Sequence, residues 1–540
     1  MKNKILHLFY ISALFCGTSY VFASSDSVPV DLKLPVIKNI TITNLNVFNL
    51  DIDAENKSLY RLLNRIHFNT KKDVIRNQLL FELGDTYSKR VADETERLLR
   101  ANRYLTSAEV MVENQLDGGV NLNVETQDSW TLNPGFSFGR GGGHNKTSLS
   151  LREYNLLGSG TRIGLRYQSD IDRDSTTFQL SDNNLMGTRL SYGFDYGNNS
   201  DGRKYLARLS SPFYSLDTKH SYGLKIENQS SIESLYDLGE VKNQYRYRTK
   251  RLDIFNAFSS GLKDDRVKRY SYGIALEDHT YSMEASAKPF LEELSSNTRR
   301  HIYPYIGIEI LEDSFIEDKN LDNIGLVEDR HIGSRFHAKL GYASSKFDAS
   351  SDAWYFRAGY SNSLVFDQNK TLMFTSLLES TIEEKKENNI KLSMNARYDV
   401  RHTSKRLLHL ELDIITAQNL NANELIYLGG DNKLRGYPAR YQTGDKRIVF
   451  TVEQRYFTEW YPFRIARIGG AIFVDIGKTW EHDQLNSSQM GWLKSIGFGL
   501  RITNSRSEIG KVLHIDIAYP IDGGSDLDKL QLLIDAKKGF

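Results

Sequence analysis

Leu434-Arg435-Gly436-Tyr437 and, about one hairpin later, Phe473-Val474-Asp475-Ile476-Gly477 are the stretches from which the fold can be read. Around the second, Ala466, Ile468, Gly470, Ile472, Val474 and Ile476 fall on one face of a period-two strand. Arg467, Gly469, Ala471, Phe473, Asp475 and Gly477 fall on the other. Asp475 therefore points away from the apolar face. If lipid covers that face, Asp475 faces the inside of a barrel, where a guanidinium on a long loop folded into the lumen can grip it with two hydrogen bonds. The run from Ile448 to Tyr456 alternates likewise and brings Glu453 to the same inner side.

An isolated Arg-Gly-Tyr is uninformative; its order and spacing ahead of Phe-Val-Asp-Ile-Gly, in a chain that reads as strands to its last residue, carry the signal. The constellation resembles the BamA-type outer-membrane assembly superfamily, which includes the TamA-like proteins and the two-partner secretion transporters. The resemblance implies a lumen loop with Leu434, Arg435, Gly436 and Tyr437 at its tip. It also implies that Arg435 pairs with Asp475 of the Phe473-x-Asp475-x-Gly477 strand, with Glu453 as a secondary acid. Gly436 then lets the backbone pass close to the wall, and Tyr437 wedges the tip. The competing reading is an ordinary turn at Arg435 and an ordinary strand-end hydrogen bond at Asp475.

Composition agrees with a barrel. The chain has 540 residues, room for a large domain and a small one. A mean hydropathy of -0.47 suits strands in which only every second residue need be apolar. Thirty Tyr against 9 Pro suit many strands with aromatic girdles. A net charge of +1 gives no reason to expect a nucleic-acid partner.

The first residues carry an address. Lys2 and Lys4 precede an apolar run from Ile5 to Ala23, and Val21-Phe22-Ala23 ends it as a signal-peptidase site before Ser24 does. Residues 1–23 are thus read as a signal peptide and 24–35 as a linker. Cys16, the sole cysteine, lies within the leader behind Phe15, which is too large for a lipoprotein cleavage site. The expected mature chain has neither disulfide nor lipid anchor.

Residues 36–128 read as a small α+β domain. Ile37, Ile40, Ile42 and Val47 suggest a strand, and Ser58 to Ile66 a helical stretch. Thr70 is a candidate cap for a helix from Lys71 to Glu82 ending at Gly84, and a second helix runs from Lys89 to Tyr104. Strands from Ala108 to Glu113 and Val120 to Thr126 meet at Leu116-Asp117-Gly118-Gly119. This order resembles one POTRA domain, the periplasmic module of the same superfamily, with an insertion at about 51–69. The resemblance implies sheet edges offered to unfolded or extended client polypeptides.

From 129 to 540 the chain is strand and turn. Asn155-Leu156-Leu157-Gly158 and Asn184-Leu185-Met186-Gly187 repeat, each followed by Thr-Arg, and Ser211-Pro212-Phe213-Tyr214 comes at a similar interval. All three read as periplasmic turns, and Gly139 to Asn145, Asp170 to Asp174 and Asn198 to Arg203 as the opposite, more polar loops. Resemblance implies 16 strands, while a direct count gives about twenty. Five fit after the Arg435 loop; the surplus lies between Tyr245 and Thr416, with extracellular hairpins as one explanation. The last strand sets Leu530, Leu532, Ile534, Ala536 and Phe540 on one face, and the terminal Phe540 resembles the assembly signal of outer-membrane barrels, although Lys538 interrupts the face.

Other chemistry finds little support. Gly139-Arg140-Gly141-Gly142-Gly143 lacks the strand-to-helix setting of a dinucleotide site. Asp170, Asp172 and Asp174 begin like a calcium loop, but Ser175 and Ser181 stand where Gly and Glu are needed, so they read as a solvated loop. No His-Glu-x-x-His helix and no Gly-x-Ser-x-Gly elbow is present. The expectation is a mainly β protein, no enzyme, without metal or cofactor. The resemblance implies an outer-membrane barrel with a periplasmic POTRA-like domain, assisting insertion or translocation of other polypeptides. Its partners are outer-membrane lipid, extended clients and, as candidates, periplasmic or inner-membrane accessory proteins. The alternatives are a passive surface antigen or pore, or a dedicated two-partner secretion transporter.

Overall fold

The computed structural model describes residues 35–53, 55–114, 118–283, 298–319, 324, 327–383, 388–420, 425–462, 466–480, 491–504, 511–522 and 527–538. The leader, Cys16, Leu116, Asp117 and Phe540 lie outside the described residues.

Three strands form the sheet of the small domain: β1 (Ile37–Leu45), β2 (Leu105–Asn114) and β3 (Val120–Asp128), in the order β1-β3-β2. The central strand β3 runs parallel to β1 and antiparallel to β2. Its alternation explains its place, because Val120, Leu122, Val124, Thr126 and Asp128 are all buried while the residues between them are half-buried. Helices Ser58–Ile66, Lys72–Arg76 and Lys89–Arg100 accompany the sheet, and Ile75, Leu79 and Leu99 join Ile37, Leu105 and Leu122 in one core.

The helix expected from Lys71 to Glu82 is a single five-residue turn, and Thr70 does not cap it. The Thr70 hydroxyl accepts instead from Asn155 Nδ2 at 2.8 Å, and its N–H donates to Asp128 at 2.8 Å. A contact with the barrel has taken the group that would have served the helix. The second helix stops at Arg100, four residues before Tyr104.

The remainder closes into a barrel of 20 antiparallel strands from Leu132–Gly141 to Gln531–Lys538. The direct count of alternating runs therefore describes the wall, and the 16 implied by resemblance does not. The surplus between Tyr245 and Thr416 is wall, with one exception. Phe315–Lys319 and Val327–His331 pair only with each other. This hairpin hangs at the end where the small domain sits: the Arg97 guanidinium lies 4.6 Å from the Phe315 ring centroid, and Arg100 is 3.6 Å from Glu317. Ile324 packs inside the barrel with Leu407, Phe457 and Ala471, so the hairpin reaches across the mouth at that end.

The repeated Asn-Leu-x-Gly turns share one backbone solution. Leu157 and Met186 both adopt a left-handed φ of 52°, and Gly158 and Gly187 return hydrogen bonds to Asn155 and Asn184 at 2.9 and 3.0 Å. Both turns lie against the small domain: Lys71 N–H donates to Gly158 O at 3.0 Å, and Arg189 Nη2 to Leu79 O at 2.7 Å. The hairpins at Gly141, Asp170 to Asp174 and Asn199 to Gly202 sit at the far end.

Closure is uneven. The first strand pairs with the second from Leu132↔Glu153 to Gly141↔His144, and the last with its predecessor from Lys511↔Lys538 to Ala518↔Gln531. Among the described residues, first and last strands meet at one pair, Ile534↔Arg140. Gly139 fits there because a Cβ would lie 2.7 Å from Ile534 O.

Candidate functional site: the lumen loop and its anchors

Between strands Arg406–Gln418 and Lys446–Phe457 the chain leaves the wall at the far end. Ile426–Leu428 pairs with Gln442–Gly444 to make a short stem, and residues 429–441 form the head. Leu434 and Tyr437 are fully buried with Leu428, Tyr441, Val449 and Leu493. This apolar patch beneath the head fixes the direction in which Arg435 projects.

Arg435 meets Asp475 through two parallel bonds, Nε to Oδ2 at 2.7 Å and Nη2 to Oδ1 at 2.8 Å, while its backbone N–H reaches Oδ2 at 3.3 Å. Nη1 donates to Glu453 Oε2 at 2.8 Å. The guanidinium lies 3.4 Å from the centroid of the Phe473 ring, which closes one side of the site. Burial disfavours the charged guanidinium, and the paired carboxylates of Asp475 and Glu453 offset that cost.

Gly436 has φ +98°, and a Cβ there would come within 3.0 Å of Ser495 Cβ, so a larger residue would have to strain the backbone and crowd the wall together. The Tyr437 hydroxyl stands 2.7 Å from the carbonyls of both Lys494 and Asp522, and accepts from Lys494 N–H at 3.1 Å. Gly477 leaves room for Leu428, whose Cδ2 a Cβ would meet at 3.1 Å.

The site is larger than its motif residues. Thr451 Oγ1 donates to Asp475 Oδ1 at 2.9 Å; Arg455 Nε reaches Glu453 Oε1 at 2.9 Å, and Arg501 Nη2 reaches Glu453 Oε2 at 3.3 Å. Arg501 also bonds Asp516, which lies 3.7 Å from Arg435. Three guanidinium groups (Arg435, Arg455, Arg501) thus face three carboxylates (Glu453, Asp475, Asp516), a balance that lets six charges be buried together. Arg455 could have been found as the inward neighbour two residues from Glu453. Arg501 and Asp516 carry a weaker signal, charge on the inward face of the next two strands.

At the head of the loop stands a second arginine that sequence reasoning missed. Arg440 grips Asp172 with Nη1 to Oδ1 at 2.8 Å and Nη2 to Oδ2 at 2.6 Å, and lies 4.4 Å from the centroid of Tyr236. Asp172 is therefore a partner of the loop and not part of a freely solvated one. Beside it, Ala439 N–H donates to Gly142 O at 3.0 Å, a contact so close that a Cβ on Gly142 would meet Ala439 N at 1.7 Å. The loop thus spans the lumen, from the C-terminal wall at Arg435 to the N-terminal hairpins at Ala439 and Arg440.

Comparison with curated proteins finds no match. Among solved structures, CdiB from Escherichia coli shares 10% identity with a TM-score of 0.50, covering 94% of this chain and 77% of that one. CdiB from Acinetobacter baumannii shares 10% identity with a TM-score of 0.48, covering 93% and 74%. BamA from Haemophilus ducreyi lacking POTRA domains 1–3 shares 12% identity with a TM-score of 0.43, covering 92% and 84%. The Omp85 superfamily domain matches residues 155–531, more than half of the chain and the span that contains the loop and its anchors, and the chain therefore belongs to the Omp85 superfamily of outer-membrane barrels.

Proposed function

We propose that this protein helps other polypeptides insert into or cross the outer membrane, in an accessory role resembling TamA, with the small domain (residues 36–128) on the periplasmic side. The observation that carries the reading is the seam. Every other neighbouring pair of barrel strands is joined by a run of partners, and first and last strands by Ile534↔Arg140 alone among the described residues. Separating them breaks few backbone hydrogen bonds and exposes two strand edges to which an extended client can add. The loop supports the reading in a second way, because Arg435 fixes the C-terminal side while that edge is open. In the small domain the outer strands β1 and β2 offer further edges to a client before it reaches the barrel.

A disulfide across the seam tests this. Arg140→Cys with Ile534→Cys places two thiols on directly opposed residues, a spacing that antiparallel pairing makes suitable for a bridge. With the bridge formed, depletion of other barrels from the outer-membrane proteome, matching deletion of the protein and reversed by reductant, is the expected result. An oxidised variant that supports a normal proteome, where deletion does not, would refute seam opening. Loss of a single exported protein on deletion would favour dedicated secretion, and no change a passive barrel.

A further inference from the structure

The insertion in the small domain contains a nine-residue helix, Ser58–Ile66, with two unlike faces. One turns to the domain: Tyr60 stacks on Phe48 at 4.6 Å, and Asn64 bonds both the N–H and the carbonyl of Phe48, at 3.1 and 2.8 Å. The other carries Leu59, Leu62 and Ile66, at i, i+3 and i+7, exposed by 57, 51 and 55%, and Phe68 follows at 60%. Arg61 and Arg65 line one side of this stripe, and the helix has no acidic residue. A contiguous apolar stripe of this kind on a soluble domain marks a surface that something else covers.

Its position says what. Just past the helix, His67 binds Asp128 at 2.9 Å and lies 6.1 Å from the ring of Trp130. Two residues later begins the outward row of the first barrel strand, the exposed Leu132, Phe136 and Phe138. On the other side of Phe68, the Asn69 carbonyl is packed so closely on Gly158 that a Cβ there would lie 2.3 Å from it. Leu157 of that turn is itself exposed. The apolar face of the helix thus continues the lipid-facing surface of the barrel at the end where the small domain sits.

We propose that this helix lies in the interfacial layer of the membrane, with Leu59, Leu62, Ile66 and Phe68 at the acyl boundary and Arg61 and Arg65 on anionic headgroups. Lipid fits better than a protein partner because the face is continuous with the outward apolar row of the barrel and the helix itself carries only cationic charge. The helix then ties the foot of the first strand to the bilayer beside the seam.

The full chain tests it, with Cys16→Ser removing the sole native cysteine and Leu59→Cys carrying an environment-sensitive fluorophore, reconstituted in phosphatidylethanolamine and phosphatidylglycerol vesicles. The expected result is a blue-shifted emission quenched by nitroxide on the upper acyl chain, while a label at the exposed Glu113 of β2 stays open to iodide. Leu62→Asp with Ile66→Asp, both solvent-facing within the protein, should abolish the lipid quenching at position 59. Arg61→Gln with Arg65→Gln should reduce it in vesicles with phosphatidylglycerol and leave it unchanged without. Equal iodide access at positions 59 and 113 overturns the proposal. So does shielding that appears only with added unfolded polypeptide, or that grows with protein-to-lipid ratio, since these mean a client or a second copy.

Discussion

The two sides of the seam are held by different means. On the C-terminal side, the loop is fixed by Arg435 within a balanced cluster of six buried charges, between strands paired along their length. On the N-terminal side, the first hairpins are held from within by Ala439 and Arg440 and from beneath by the small domain, through single hydrogen bonds and a partly exposed ion pair. Both sides are paired wall, but one is braced by a buried charge cluster and the other by fewer and more exposed contacts. A barrel that opens at its seam needs this asymmetry, because strands that separate must have somewhere rigid to separate from.

The largest test removes the fixed anchor. Arg435→Ala leaves Asp475 and Glu453 short of a counter-charge where water is scarce, at a cost of about 3 to 5 kcal/mol. Arg435→Lys should recover little, since an ammonium cannot supply parallel bonds to Asp475 together with one to Glu453. The expected product is a folded, heat-modifiable barrel whose loop is cut by protease and whose function is impaired. Combining Arg435→Ala with Asp475→Asn isolates their coupling. Strictly additive effects on loop protection would mean that the fixed side does not depend on this pair.

Next in size is the hold from beneath. Asn155 is buried, donates to Thr70 Oγ1 at 2.8 Å and accepts from Gly160 N–H at 2.7 Å. Asn155→Ala removes both bonds and leaves the buried Thr70 hydroxyl and the half-buried Gly160 N–H short of a partner, about 1 to 3 kcal/mol. Domain docking, read by hydrogen exchange at residues 69–80, should loosen while exchange around Asp475 is unchanged. Equal loosening on both sides would erase the distinction drawn between them.

How much of this could be read beforehand follows from which interactions are local. Alternation along a strand is a local property, so the inward direction of Glu453, Phe473 and Asp475 was written in the sequence, as was the number of wall strands once each run was counted. The destination of Arg440 was not. Its partner Asp172 lies 268 residues away, and the acid's spacing with Asp170 and Asp174 resembled a cation loop more than a docking point. The short helix after Thr70 was misread because the hydroxyl that suits a cap is used by Asn155, from the first barrel turn. The hairpin at 315–331 alternates like any wall strand, and only the strands beside it reveal that it has no place in the wall. Resemblance set the strand number too low because the extra strands lie far from the motif that carried the resemblance.

A smaller effect belongs to the latch from within. The side chain of Asp172 is 31% exposed, so water screens its pairing with Arg440, and Arg440→Ala should cost about 1 kcal/mol or less. Its consequence is kinetic: the first hairpin should exchange faster, and planar-bilayer recordings should show more frequent openings, with Arg435 still protected from release. Unchanged gating in Arg440→Ala, alongside altered gating in Arg435→Ala, would place all control on the fixed side.

The smallest effect depends on pH and sits at the underside of the N-terminal half. Glu94 accepts from Leu216 N–H at 2.7 Å and lies 3.2 Å from Arg90, with Arg97 and Asp217 also near. Burial pushes its carboxyl up, and the Leu216 N–H and Arg90 pull it down without prevailing, so the docked state holds it above the ordinary carboxylate range. A raised value in the docked state means that this contribution is complete below the ordinary value of 4.5 and is lost as pH rises through the raised one. Docking should therefore weaken slightly from acid toward neutral pH, read as faster proteolysis between Asp128 and Leu132 in detergent. Glu94→Gln keeps an acceptor for Leu216 N–H and cannot ionise, so its cleavage rate should stay flat over the same range. A slope that persists in Glu94→Gln would assign the pH response to another group and leave Glu94 a purely structural contact.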